Sequence, residues 1–150
     1  MRSLTPAPPR EILLVEDNPG DVRLLREALR EVPHLGRLHA VENVDQALDF
    51  LLQRDDYADA TRPNVVLLDL NLPRRHGIEL LEEMREHDGI AGIPVIVLTS
   101  SASEEDRRRS YANAAAAFVT KPQTLDAYVD LLHVVATWAA EHPPQESPPS

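Results

Sequence analysis

The chain has 150 residues, of which 43% are hydrophobic and 27% charged, enough for one domain with a buried core. It contains no cysteine, which excludes disulfide frameworks and thiolate metal sites. Its net charge of −10 disfavours non-specific binding to nucleic acid or anionic lipid. Because the sequence has neither a signal-peptide pattern nor an apolar run as long as a membrane span, we expect a cytoplasmic protein without membrane or nucleic-acid partners.

Proline is concentrated at the two ends of the chain. Segments this rich in proline and poor in apolar residues have little to bury. The sequence therefore predicts flexible tails at 1–9 and 142–150 and one folded domain at 10–141. The prolines that define the tails are Pro6, Pro8 and Pro9 at one end and Pro143, Pro144, Pro148 and Pro149 at the other.

Between the tails, short apolar runs alternate with segments of helical periodicity. Apolar residues spaced by three and four predict helices at 20–32, 43–53, 77–86, 103–114 and 123–141. Short runs rich in β-branched and aliphatic residues predict strands at 11–16, 37–42, 64–70, 93–100 and 116–120. Five such repeats indicate an α/β fold, with a doubly wound parallel sheet and helices on both faces.

Ligands of such sheets bind beyond the carboxyl ends of the strands, so the residues there carry the functional argument. The predicted strands end at Glu16-Asp17, Asp69, Thr99 and Lys121. Carboxylates that are held close together repel one another unless a proton or a cation joins them. An oxygen-only donor set without sulfur or imidazole is suited to Mg²⁺.

Lys121 is the only lysine of the chain, and arginine supplies the other fourteen of its fifteen Lys and Arg residues. Asp69 stands where a carboxylate can attack a phosphoryl group, whose negative charge then needs an opposite charge nearby. A compact ammonium supplies a point charge in a corner where a planar guanidinium does not fit. We interpret the single lysine as the one position where the chain needs an ammonium and not a guanidinium.

Four segments resemble, in order, the receiver domain of two-component response regulators: ILLVEDNPGD, VVLLDLNLPRRHG, IPVIVLTSSAS and FVTKP. The intervals of 30 residues from Asp69 to Thr99 and 52 from Asp69 to Lys121 are typical of that family. The opening EDNPGDVRLLREAL, the stretch SASEED and the tryptophan near the end of the last helix are most similar to the stand-alone regulators paired with bacterial phytochromes.

The resemblance implies a CheY-like sheet with strand order 2-1-3-4-5 and five helices. It makes Asp69 the phospho-acceptor, with Mg²⁺ bound by Asp69 and Asp17 directly, by Glu16 through water and by the backbone carbonyl of Asn71. Thr99 is then the residue that hydrogen-bonds the phosphoryl group, and Lys121 pairs with it.

Further expectations concern the switch and the phosphoryl lifetime. Phe118 occupies the aromatic switch position, where many relatives have tyrosine, and the Lys121–Pro122 bond is expected to be cis. Asn71 and Ser101 flank the path of an attacking water, so we expect both to tune the lifetime.

The implied partners are a phytochrome-type sensor histidine kinase and a downstream phosphotransfer or target protein. A homodimer is expected, with Trp138 in its contact. We expect no output domain after residue 141, and therefore action through protein contacts, as a relay or as a phosphate sink. The implied chemistry is limited to Mg²⁺-dependent autophosphorylation and slow autodephosphorylation, so the protein is not expected to be an enzyme otherwise.

Three alternatives differ in the residues they need. A phosphoaspartyl phosphatase normally has a second aspartate two residues after the nucleophile, where this chain has Asn71. A flavodoxin-like nucleotide or flavin binder needs a phosphate loop after the first strand, where the acidic EDNPGD would repel phosphate. A receiver-like adaptor that works without phosphorylation stays open. Taken singly, the site residues also have ordinary explanations, such as Glu16-Asp17 favouring the start of a helix.

Overall fold

A computed structural model gives the fold and describes residues 11–100 and 103–141. The expected tails at 1–9 and 142–150 and the predicted role of Ser101 lie outside these residues, as does the side chain of Trp138. Among the described residues, no helix combines the length and the apolar character needed to cross a bilayer.

The described residues form one parallel sheet flanked by helices. The strands are β1 (Glu11–Val15), β2 (Arg37–Val41), β3 (Val65–Asp69), β4 (Val95–Thr99) and β5 (Ala117–Thr120). Their order across the sheet is β2-β1-β3-β4-β5, and every neighbouring pair is parallel. The predicted fold class and the strand order 2-1-3-4-5 are therefore confirmed.

The helices are α1 (Pro19–Leu29), α2 (Val44–Leu51), α3 (Ile78–Met84), α4 (Asp88–Ala91), α5 (Glu104–Ala112) and α6 (Leu125–Glu141). The five longer ones match the five predicted helices. The four-residue α4 was not predicted, because one turn is too short for a helical period to show in the sequence. Two short 3₁₀ turns, Pro33–Leu35 and Asp55–Tyr57, lie in connections.

Asparagine and serine side chains fix where three of the helices begin. The side chain of Asn18 accepts hydrogen bonds from the backbone of Gly20 and Asp21 at the start of α1. Asn43 caps α2 in the same manner. Ser103 Oγ accepts from the Asp106 backbone at 3.3 Å and so caps α5.

The buried strands separate two apolar cores. Successive side chains of a strand point to opposite faces, so Leu13 and Val15 enter one core while Ile12 and Leu14 enter the other. The first core is completed mainly by α2 and α3, and the second by α1 and α6. Because both faces of β1, β3 and β4 are covered, these strands are apolar except at one end, where they carry Glu11, Asp69 and Thr99.

Candidate functional site

Backbone pairing at the carboxyl edge of the sheet brings the predicted site residues together. The Glu16 N–H donates to the Val41 carbonyl at 2.9 Å, which continues the pairing of β1 with β2 by one residue. The Lys121 N–H donates to the Thr99 carbonyl at 2.8 Å, which does the same for β4 and β5. Glu16 and Lys121 are thus held by the sheet, although both lie just beyond a strand.

Three carboxylates form a compact acidic group at this edge. Glu16, Asp17 and Asp69 each offer an oxygen that lies within 4.8 Å of the other two. Glu16 is 3% exposed and Asp69 is 5% exposed, whereas Asp17 is open to solvent. Hard oxygen donors at this spacing, with one side open to water, fit a small divalent cation such as Mg²⁺ that keeps part of its hydration shell.

Burial is the main influence on the Glu16 carboxyl. It raises the pKa above the ordinary value, and the nearby Asp69 charge acts in the same direction. A hydrogen bond from Lys121 and one from the Asn18 backbone oppose this rise without cancelling it. A buried acidic group of this kind gains from any cation that joins it.

The loop after β3 folds back onto the strand end that carries Asp69. The Asn71 N–H donates to Asp69 Oδ1 at 3.2 Å, and the Gly77 N–H donates to the Leu70 carbonyl at 2.8 Å. A Cβ atom at position 77 would lie 2.6 Å from the Asp69 carbonyl oxygen and 2.8 Å from the Leu70 Cα. Only glycine allows this approach, so Gly77 helps to fix the backbone of Asp69.

The ammonium of Lys121 lies among the carboxylates. Its Nζ is 2.6 Å from Glu16 Oε1, 3.0 Å from Asp21 Oδ2 and 3.4 Å from Asp69 Oδ2. Burial lowers the pKa of Lys121, but the hydrogen bonds to Glu16 and Asp21 outweigh it, so the net pKa is raised. The side chain, which is 12% exposed, therefore remains a cation at neutral pH.

Asp21 belongs to the site but was given no role in the sequence analysis. It stands in the first turn of α1, and its carboxylate is closer to the Lys121 ammonium than that of Asp69. A signal was present in EDNPGD, because Asn18 and Pro19 mark the helix start and leave Asp21 in its first turn. The contact with Lys121, 100 residues away, could not be found from local sequence.

The two predicted switch residues lie on neighbouring strands. Thr99 is fully buried at the end of β4, directly beside Thr120 of β5 in the strand register. Phe118 stands opposite Val97 and is partly buried against the core that contains α2 and α3. The structure therefore places the Thr99 hydroxyl at the carboxyl edge of the sheet and the Phe118 ring on the neighbouring strand, two residues before the partner of Thr99.

One predicted detail of the site was wrong. Among the described residues no peptide bond is cis, so the Lys121–Pro122 bond is trans. The trans form is the intrinsic preference of an X–Pro bond, by about 0.5–1 kcal/mol. It is compatible here with the hydrogen bond from the Lys121 N–H to Thr99.

The sequence matches the family model of the response regulator receiver domain over residues 12–133. The chain belongs to the response regulator receiver domain family. This receiver domain is 40% identical to response regulator Rcp1 of Synechocystis sp. over 118 residues, which are 79% of this chain and 80% of that protein.

Two solved structures are similar over nearly the whole of this receiver domain. The phosphorylated cyanobacterial phytochrome response regulator RcpA has a TM-score of 0.83 and 33% identity, and the match covers 93% of this chain and 99% of the other. The Mn²⁺-bound form of Rcp1 has a TM-score of 0.81 and 34% identity, with 93% and 100% covered. The receiver domain is therefore related to phytochrome response regulators.

Proposed function

We propose that this receiver domain accepts a phosphoryl group on Asp69 from a phytochrome-type histidine kinase and thereby switches a protein-interaction surface. The observation that carries the proposal is the position of the buried Asp69 carboxylate. It belongs to the acidic group suited to Mg²⁺, and its Oδ2 lies 3.4 Å from the ammonium of Lys121. The kinship with phytochrome response regulators supports the choice of kinase. We place the protein in the cytoplasm, where such a kinase presents its phosphohistidine.

In the proposed transfer, a carboxylate oxygen of Asp69 attacks the phosphorus of the phosphohistidine. A P–O bond forms, the P–N bond breaks, and the imidazole leaves with the bonding electron pair and takes up a proton. Asn71 holds the other carboxylate oxygen through its backbone N–H, and Lys121 offers positive charge to the arriving oxygens. A divalent cation held by Glu16, Asp17, Asp69 and the Asn71 carbonyl would offset further negative charge of the phosphoryl group.

The proposed switch begins with the added charge, which is roughly −1.5 to −2 at neutral pH. In this proposal Thr99 hydrogen-bonds the phosphoryl group, and Phe118 changes its burial in response. The surface that changes is formed by α5, β5 and α6. The position of Thr99 at the end of β4, beside β5, supports this route, since β4 leads into α5.

We also infer that the protein forms a homodimer through the side of α6. Val134 of α6 is 66% exposed, the largest exposure of any bulky apolar side chain that the structure describes. It borders an apolar groove of about 90 Å³ whose other walls include Ile96, Ala117 and Leu131. Val134→Lys should lower the dimer fraction measured by light scattering after size exclusion, with phosphoacceptor chemistry unchanged.

The direct test is incubation with Mg²⁺ and acetyl phosphate, followed by intact mass at neutral pH. We expect a gain of one phosphoryl group, which is lost in Asp69→Asn and in the presence of EDTA. Asp88→Asn is the matched control, because it removes the same charge at an exposed position on α4. A phytochrome-type kinase should transfer its phosphoryl group faster than a sensor kinase of another class.

Failure to gain mass from either acetyl phosphate or a kinase, together with failure to bind beryllofluoride, would rule out the phosphoacceptor role. That result would favour the adaptor that works without phosphorylation. A gain of mass that persists in Asp69→Asn would place the phosphoryl group on another residue and would also contradict the proposal.

A further inference from the structure

We propose that Asp21 is a positioning residue that holds the Lys121 ammonium away from Asp69 and sets the balance between cation affinity and phosphoryl affinity at the site. The inference rests on the proposed function, because it concerns the same acidic edge. It assigns a role to a residue of α1 that is neither a phospho-acceptor nor one of the three carboxylates suited to the metal.

The ammonium of Lys121 has three N–H donors, and three carboxylates surround it. The distances to Glu16 and Asp21, 2.6 and 3.0 Å, are those of good charged hydrogen bonds, whereas the 3.4 Å to Asp69 is long. In this arrangement Lys121 is shared mainly between Glu16 and Asp21. A phosphoryl oxygen on Asp69 must therefore compete with Asp21 for a donor.

Asp21 is held in this place by the start of α1. Its backbone N–H donates to Asn18 Oδ1 at 3.2 Å, and the Asn18 N–H in turn donates to Glu16 Oε2 at 3.1 Å. These hydrogen bonds fix the Asp21 backbone relative to the Glu16 side chain, and both carboxylates contact Lys121.

Removing the Asp21 charge has opposite consequences for the two ligands. The site loses negative potential, so it attracts a divalent cation less strongly. The same loss reduces repulsion of an anionic phosphoryl group and frees one Lys121 donor for it. Loss of structure at the start of α1 would instead weaken the binding of both ligands. Loss of charge and loss of structure therefore predict opposite changes in the affinity for the phosphoryl group.

The test measures Mg²⁺ affinity and then beryllofluoride affinity at saturating Mg²⁺, by titration calorimetry on the full chain. For Asp21→Asn we expect a Mg²⁺ dissociation constant roughly three- to tenfold higher and a beryllofluoride constant lower by a similar factor. Asp21→Ser changes the shape of the side chain as well as its charge. It should likewise raise the Mg²⁺ dissociation constant and lower the beryllofluoride dissociation constant.

Glu27→Gln is the matched control, because it removes one negative charge from an exposed position farther along α1. It should leave both constants near the wild-type values. If Asp21→Asn matches the wild type, or weakens the binding of both ligands, the inference is wrong while the proposed function stands. If the wild type itself binds neither ligand, the proposed function fails and the inference fails with it.

Discussion

Gly77→Ala tests whether the close approach of the β3–α3 loop to Asp69 fixes this proposed phospho-acceptor. A methyl group at this position would meet the Asp69 carbonyl oxygen at 2.6 Å and the Leu70 Cα at 2.8 Å. Both contacts are with backbone, so no side-chain rotation can relieve them. The loop must move away from the strand end, and the Asp69 backbone must shift with it.

The cost follows from two opposing effects. Forcing an extra methyl group into a packed position costs typically about 1–3 kcal/mol. Alanine also restricts the unfolded chain, which stabilises the folded state by about 0.4–1 kcal/mol where the backbone conformation suits it, as φ −58° does at Gly77. The balance is a net loss of about 1–2 kcal/mol, or roughly 2–8 °C in unfolding midpoint for a chain of this length.

Gly92→Ala provides the comparison, because no atom lies within 4 Å of a Cβ built there and its φ is −85°. Urea unfolding should show a small gain in stability for Gly92→Ala and a loss for Gly77→Ala. Beryllofluoride affinity should fall only in Gly77→Ala. Equal unfolding free energies and equal affinities in the two variants would show that the close contact does not constrain the site.

Three further variants test charged groups. The pKa of Tyr128 is raised from 10.0 to about 12, mainly by burial and then by the charge of Asp21, so only the unfolded chain ionises this tyrosine between those values. Stability should therefore fall by about 1 kcal/mol more in the wild type than in Tyr128→Phe when the pH of a urea titration rises from 9 to 11. Arg75→Ala should lose about 1–2 kcal/mol in a salt-dependent manner, because Arg75 contacts three carboxylates of α2 and α3 at 2.7–3.2 Å, whereas the exposed Arg74→Ala should be near neutral. Lys121→Met should lose about 3 kcal/mol at pH 8 in urea without Mg²⁺, and less with Mg²⁺ present, since another cation then joins the buried acids.

The fold was accessible from the sequence because two independent patterns agree. The apolar runs at β1, β3 and β4 are continuous, as strands covered on both faces must be, and the helices between them carry one apolar face. Parallel strands have their carboxyl ends at one edge, so the meeting of Glu16 and Asp69 followed from topology alone.

Three details differ from what the sequence predicted, and each has its own cause. Asp21 and Lys121 meet across 100 residues, and nothing local in either segment encodes the other. The prediction of a cis Lys121–Pro122 bond came from the family resemblance alone. The Lys-Pro sequence by itself indicates only that a cis bond is tolerated there. The short α4 contributes one buried side chain, Ile90, and so leaves no periodic pattern.

Helix α5 explains how a charge at Asp69 could move a surface at little cost. Its one buried residue is Ser110, whose hydroxyl donates to the Asp106 carbonyl at 2.7 Å, so no large apolar side chain fixes the helix to the core. Its C-terminal end is held instead by Arg85, whose guanidinium donates to the Ala112 carbonyl at 3.1 Å. Exposed polar contacts contribute about 1 kcal/mol or less each, whereas one buried leucine contributes about 1.5–3 kcal/mol. Thr99 lies on the strand that leads into α5, so a rearrangement at Thr99 has to break only a few weak contacts to move this helix. The proposed switch requires this property.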